Sequence, residues 1–253
     1  MDNKATTRLG SQDLVNIARQ QYENKQRSKI PTIIAKLASG GKIYPKSHPL
    51  HDGTLELRYM TAYDEDILTN SSYIREGVVF DKLLQSIIMS DVNVNDICSV
   101  DKDGLILNAR VMAYGPEYAV QIQDPKTGNM LDRTINLTEV QFKPFNLVAD
   151  DAGEFTYQIN SETTIKFAYP KTEITQETVS ETINNLITEV NGIRDRTAIE
   201  NFIRYEFFAK DAKRFREYVK ENAPGVDYEM NFEGEDGSTF KAMFPVNSNL
   251  FWF

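Results

Sequence analysis

A chain of 253 residues with 41% hydrophobic content can bury a substantial core without covalent staples, as one large domain or two compact units. Its single cysteine, Cys98, cannot close an intramolecular disulfide, no charged-then-apolar leader opens the chain, and no apolar run nears the roughly 20 residues that span a bilayer; a reducing cytoplasm is expected, and a membrane segment is not. The formal charge of −9, from 37 acidic and 28 basic residues, disfavours general nucleic-acid binding and fits protein partners.

Residues 1–29 are polar and charged, with Ser11 placed to cap a short arm helix in which Leu14, Ile17 and Ala18 recur at helical spacing. The apolar stretch 30–37 is weak, and Gly40, Gly41, Pro45 and Pro49 break any regular element after it, so loop or linker is expected there. Between 54 and 59, Thr-Leu-Glu-Leu-Arg-Tyr alternates and predicts a strand with Leu55, Leu57 and Tyr59 on one face. Thr61 then opens Thr-Ala-Tyr-Asp, a capping box in which the Asp64 amide donates to the Thr61 hydroxyl and the Asp64 carboxylate accepts in return, so a helix starts there. Asp64, Glu65 and Asp66 fall in its first turn, where negative charge complements the helix dipole by roughly 0.3–1 kcal/mol each, and the triplet needs no metal to explain it.

Val79, Leu83, Leu84, Ile87 and Ile88 form a helical stripe over 78–89, and a further helix is expected over 103–113 through Leu105, Ile106, Ala109 and Met112. Alternation over 118–123, and again from Met130 after Asp124-Pro125-Lys126-Thr127-Gly128-Asn129, predicts a β-hairpin. Residues 155–159 and 164–169 supply two more strands. The period then changes: Val179, Ile183, Leu186, Ile187 and Val190 predict one helix. A second carries Ile199, Phe202, Ile203 and Phe207 with Asp195 as cap, and a third carries Phe215, Tyr218 and Val219 with Asp211 as cap and Pro224-Gly225 as stop. Strands at 228–233 and 239–246 flank Gly234-Glu235-Asp236-Gly237-Ser238 as a second hairpin before the terminal Leu250-Phe251-Trp252-Phe253.

The expected fold class is α+β, with short helices, β-hairpins and antiparallel strands, plus a helical subdomain near the C-terminus. The expected division is an arm and linker at 1–40, an α+β domain with the first hairpin at 41–170, and the helical subdomain with the C-terminal hairpin at 171–253.

Candidates for chemistry are few. His48 and His51 share one loop at a spacing that offers two zinc ligands, yet the chain has no other His and one Cys to complete such a site. Cys98 follows an apolar-polar alternation over 92–97 and reads as a small buried hydrophobe rather than a nucleophile. Asp101-Lys102-Asp103-Gly104 opens like a calcium loop, but the twelfth position is Met112 where a bidentate Glu is required, so a helix cap explains it better. Asp150 and Asp151 lie in a turn and do not by spacing form a glycosidase pair. Lys210, Lys213, Arg214 and Arg216 cluster, which a solvated helix face explains. No catalytic residue, cofactor site or metal site is assigned.

The segment Thr54-Leu55-Glu56-Leu57-Arg58-Tyr59-Met60-Thr61-Ala62-Tyr63-Asp64-Glu65-Asp66-Ile67-Leu68-Thr69 resembles the signature of baseplate hub proteins of T-even-like phages, which have contractile tails. The run Gly-Val-Val-Phe-Asp-Lys-Leu-Leu-Gln-Ser-Ile-Ile from Gly77 and the stretch 103–115 come next in the family's order. Arg216-Glu217-Tyr218, the segment 222–227 and Leu250-Phe251-Trp252 are similar too, so the resemblance covers about 40–253. Many relatives carry Cys-Pro-x-Cys-Gly at both hairpin tips, like halves of a zinc knuckle. Here the first tip reads Asp124-Pro125-Lys126-Thr127-Gly128, and the second has Gly234 and Gly237 where the cysteines would sit, so a family zinc role does not carry over.

The resemblance implies a non-enzymatic structural or chaperone-like assembly protein of the baseplate hub, located in the virion tail or in the host cytoplasm during assembly. Its partners would be other tail and baseplate hub proteins, with the tape measure protein as a candidate, no nucleic acid, no membrane, and an oligomer left open. Competing readings are a tail-associated cell-wall-degrading enzyme and a tape-measure-binding adaptor. Interface candidates are Arg58 and Tyr59 in the signature strand and Phe251, Trp252 and Phe253 at the terminus. Consecutive residues of an extended segment point to opposite sides, so Trp252 packs on the chain while the phenylalanines face a partner, or the reverse, or all three close the core.

Overall fold

Period and flanking turns decide together which apolar runs become strands. The computed structural model describes residues 30–171, 178–244 and 248–251. The expected arm helix, Trp252 and Phe253 fall outside these. Within them, nine strands form four small antiparallel sheets accompanied by seven helices, the α+β class expected.

Strand β1 (Thr32–Lys36) pairs with β2 (Thr54–Arg58) in a register running from Thr32↔Arg58 to Lys36↔Thr54. The stretch expected as loop or linker is therefore a strand from Thr32 onward. Its β-branched Thr32, Ile33 and Ile34 favour the extended chain, and its apolar signal is weak because Ala35 is its one fully buried side chain. Helix α1 (Ala62–Leu68) begins after Thr61 as expected, then come the short α2 (Ser71–Arg75) and α3 (Val79–Ile87), whose Leu83, Leu84 and Ile87 are buried.

The central helix α4 (Ser99–Tyr114) begins four residues earlier than the periodicity predicts. Gly104 inside it would cost about 1 kcal/mol relative to Ala in a free helix, but a Cβ there would stand 2.9 Å from the Phe142 ring, so the glycine admits the aromatic. The first hairpin, β3 (Glu117–Gln123) with β4 (Met130–Asn136), buries Tyr118, Val120 and Ile122 on its inner face.

Strands β5 (Phe155–Gln158), β6 (Thr164–Phe167) and β7 (Ile187–Val190) form the one three-stranded sheet, with β6 in the middle. β7 corrects an expectation. Helix α5 (Val179–Leu186) ends where Ile187 turns extended, and the Ile187 and Val190 expected on its stripe instead pair with β6. The β-branched Ile-Thr-Glu-Val run, the open edge of β6 and the positive-φ pair Asn191-Gly192 outweigh a helical spacing that holds by coincidence.

Helix α6 (Arg196–Tyr205) is capped by Asp195, whose Oδ1 accepts from the Ala198 amide at 2.9 Å, as expected. Helix α7 (Ala209–Glu221) starts at Phe208, which places Asp211 in its first turn rather than at its cap. The second hairpin is β8 (Glu229–Glu233) with β9 (Thr239–Met243). One hydrophobic cluster draws on residues from Ala35 to Phe251. Rings knit the three-stranded sheet to α7, with Phe167 and Phe215 centroids 5.5 Å apart and Tyr157 and Tyr218 at 4.8 Å.

Candidate functional site

The signature segment folds into a polar knot rather than an open cleft. Alternation along β2 turns Leu55 and Leu57 inward, and Arg58 at the strand end is buried as well. Its Nη1 and Nη2 donate to Asp64 Oδ2 and Oδ1 at 2.7 and 2.8 Å, and Nη2 also donates to Ser86 Oγ at 2.8 Å. Ser86 Oγ donates to Asp64 Oδ1 at 2.6 Å, and the Thr61 amide and hydroxyl donate to Asp64 Oδ2 at 2.7 and 3.0 Å. The capping box expected at Thr61 is present, and its N3 carboxylate also receives the arginine fork. Burial alone would raise the Asp64 carboxyl, but the bonds from Arg58, Ser86 and Thr61 hold it below the usual carboxylate range. Arg58 Nε is buried and makes no hydrogen bond.

A second knot fixes the loop after β1 to the start of α4. Asp101, fully buried, accepts from the Ser39 amide at 2.7 Å, the Ser39 hydroxyl at 2.8 Å and the Tyr44 hydroxyl at 2.7 Å. The Cys98 amide donates to Tyr44 Oη at 3.0 Å. Burial pushes the Asp101 carboxyl up despite the bonds from Ser39 and Tyr44, and raises Tyr44 with the help of the adjacent Asp101 charge. Burial and the Asp101 charge push the Cys98 thiol up to about 12. Such a thiol is neutral at pH 7 and acts as a small hydrophobe. The helix cap expected at Asp101-Lys102-Asp103-Gly104 is not what forms: α4 starts at Ser99 after Cys98, which gives no side-chain cap, so Asp101 falls in the first turn and its carboxylate holds Ser39 and Tyr44 instead.

Sequence alone did not bring the two hairpin tips together, and the structure does. Asp124 Oδ1 accepts from the Lys126 amide at 2.8 Å and its Oδ2 from the Glu235 amide at 3.1 Å, one on each hairpin. Lys126 Nζ donates to Asp236 Oδ2 and Ser238 Oγ, both at 2.8 Å, Asn129 Nδ2 donates to the Glu235 carboxylate at 3.1 Å, and Arg133 Nη2 donates to the Glu233 carbonyl at 2.6 Å. A Cβ at Gly234 would lie 3.0 Å from Asp124 Oδ2, so a carboxylate fills the space a larger residue would need. The shared tip pattern with its absent cysteines was the available signal for this pairing.

Arg110, buried in α4, donates from Nε to the Leu250 carbonyl at 2.6 Å, from Nη1 to the Gly115 carbonyl at 2.9 Å and from Nη2 to the Glu117 carbonyl at 3.1 Å. Phe251 packs near Phe80 and Tyr114, with centroids 6.0 and 6.3 Å away. The last described turn is thus latched to α4 and α3.

Of the interface candidates, Arg58 lies inside the fold with its guanidinium taken by Asp64, and Phe251 is buried in the chain's own core. Tyr59 is partly exposed beside them. His48 Nδ1 accepts from the Leu50 amide at 3.2 Å to cap a 3-10 turn, and His51 Nδ1 donates to the Tyr44 carbonyl at 3.1 Å. Asp150 pairs with Lys166 at 2.8 Å and Asp151 with Lys46 at 2.7 Å. Among the described residues no group of three or more His, Cys, Asp or Glu is placed to hold a metal ion, and no helix is long and apolar enough to cross a membrane. A family model described as T4 bacteriophage base plate protein matches residues 30–239. No curated protein and no solved structure matches the chain.

Proposed function

The chain belongs to the T4 bacteriophage base plate protein family, and from that premise we propose that this baseplate structural protein serves the building of the central hub, as a hub component or a chaperone-like assembly factor. It does so through contacts with other tail proteins, the tape measure protein among the candidates. The virion tail is its place of action, and the host cytoplasm is where it meets its partners before assembly.

The observation that carries a contact role over a chemical one is the fate of the signature's polar groups. Arg58, Asp64, Thr61 and Ser86 satisfy one another and lock β2, α1 and α3 together. Asp101, Tyr44 and Cys98, whose proton affinities burial displaces, bind the β1 loop to α4. Displaced proton affinities often mark active sites. Here each displaced group is consumed in holding one element to the next, so the motif supports a rigid frame that presents its surface.

A nonsense mutation in the phage gene tests the reading. Non-permissive infection should yield tails with defective or hubless baseplates, restored by the chain supplied in trans. Complete baseplates on infectious particles without the chain, or cell-wall hydrolysis by the purified protein, would overturn it.

A further inference from the structure

One cleft holds two cations that no acid of the described residues answers. The N-terminal end of α4, Tyr169 and Pro170 beyond β6, α5 and α7 enclose a volume of about 490 Å³, a size at which proteins hold small ligands. Val100, Leu186, Val219 and Ala223 make its walls largely apolar. Arg216 and Lys220 line it from α7, four residues apart and so on one face of that helix.

The other polar side chains of the cleft are engaged within the chain. Ser99 Oγ donates to the Pro170 carbonyl at 3.4 Å, Thr182 Oγ1 to the Thr178 carbonyl at 3.1 Å and Tyr169 Oη to the Asn222 carbonyl at 3.0 Å. Asp103 Oδ2 accepts from Tyr228 Oη at 3.0 Å and forms no ion pair with either cation. On α7 itself Glu217 leans on Lys213 at 3.7 Å and Asp211 on Arg214 at 3.8 Å, and neither acid lines the cleft. Two cations against Asp103 alone leave the cleft one positive charge in surplus.

The side chains of Arg216 and Lys220 make no hydrogen bond or ion pair with any described residue, yet Arg216 Nε is buried. A buried N–H without an acceptor has lost its water and gained nothing in return. Arg58 Nε is orphaned as well, but the rest of that guanidinium is held by Asp64 and Ser86. Arg216 has no such offset, so its place at the cleft serves something the chain does not supply.

We propose that this cleft binds a monocarboxylate carried on an apolar body, with the carboxylate on Arg216 and Lys220 and the body against Val100, Leu186 and Val219. A guanidinium fork matches the two oxygens of a carboxylate, and one negative charge equals the surplus. A phosphate carries more charge, and apolar walls do not replace its hydration. The carboxyl terminus of a peptide with an apolar last residue and a free aliphatic acid share the required chemistry. The proposal stands apart from the hub reading: binding is measured on the purified chain, and the hub role in the phage.

Isothermal titration calorimetry of the full chain with octanoate and with N-acetyl-leucyl-phenylalanine, each beside its neutral amide, tests it. At least one acid should bind with a Kd below about 1 mM, and its amide should bind on the order of tenfold more weakly. The acid that binds more tightly identifies the source, free acid or peptide terminus. Arg216→Gln should weaken that acid on the order of tenfold or more. The same variant should melt no lower than wild type, because it breaks no bond within the chain. Failure of both acids to bind, amides that bind as well as their acids, binding unchanged in Arg216→Gln, a lower melting temperature in that variant, or displacement of the acid by an equal concentration of inorganic phosphate would each overturn the proposal.

Discussion

Arg58 and Asp64 meet fork to fork inside the protein, with both terminal guanidinium nitrogens on both carboxylate oxygens at 2.7 and 2.8 Å. The chain between them turns from β2 into α1, so the pair fixes the angle between strand and helix. Ser86 on α3 closes the same network, which makes one carboxylate the junction of three elements.

Removing one partner of this pair should therefore cost far more than removing the cap. Arg58→Ala or Asp64→Ala is expected to lower stability by about 3–5 kcal/mol, because the survivor is left charged and buried. Thr61→Ala is expected to cost about 0.5–2 kcal/mol. Urea denaturation of the three variants checks the ranking; equal costs for Asp64→Ala and Thr61→Ala would show that the ion pair does not anchor the turn. Calcium or magnesium should leave the melting temperature unchanged, since the carboxylate is already saturated with donors.

Asp64 and Asp101 should bend the pH profile in opposite directions. The folded pKa of Asp64 is depressed, so its contribution is present above the unfolded carboxylate value near 3.9 and is lost as pH falls through the lower folded value. The folded pKa of Asp101 is raised, so its contribution is present below that unfolded value and is lost as pH rises through the folded one. Urea midpoints from about pH 4 upward should accordingly fall less steeply, or rise more, in Asp101→Asn than in wild type. Parallel profiles would contradict the assignment.

The hairpin clasp should hold without metal. A chelator is expected to leave the melting curve unchanged, and elemental analysis of untagged protein should find no stoichiometric zinc. Asp124→Ala should destabilise more than Lys126→Ala, because Asp124 is buried and bonded to amides of both tips while Lys126 is exposed. The reverse order, or stoichiometric zinc, would contradict the clasp.

Much of the fold was legible in the sequence where one signal acted alone. The Thr61 cap, the Asp195 cap, both hairpins and the stripe of α3 stand where spacing and turn residues put them. Where two signals competed, periodicity misled: Ile187 and Val190 fit a helical stripe, but β-branching and the Asn191-Gly192 turn make them a strand edge. The polar knots were illegible because Ser39, Tyr44 and Asp101 are distant in sequence, and no local pattern marks residues that meet only after the chain packs. Arg58 was expected at an interface for a different reason: Asp64, six residues on, was already accounted for by the Thr61 cap, and no local pattern shows that the same carboxylate also takes the arginine fork.

The terminus gives a separable readout. Deleting 250–253 removes buried Leu250 and Phe251, each worth roughly 1.5–3 kcal/mol, and leaves Arg110 without the Leu250 carbonyl. Lower stability is therefore expected, measured by urea denaturation and compared with co-assembly on other tail proteins. Unchanged stability would contradict the latch, and loss of assembly in a chain of normal stability would assign the terminus to a partner instead.

A baseplate hub role is tested most directly by where the protein is found. Quantitative mass spectrometry of purified virions and of isolated tail and baseplate intermediates should recover its peptides with the baseplate hub, in both if it is a structural component and in the intermediates alone if it is an assembly factor. Its absence from baseplate intermediates and virions alike would contradict that role.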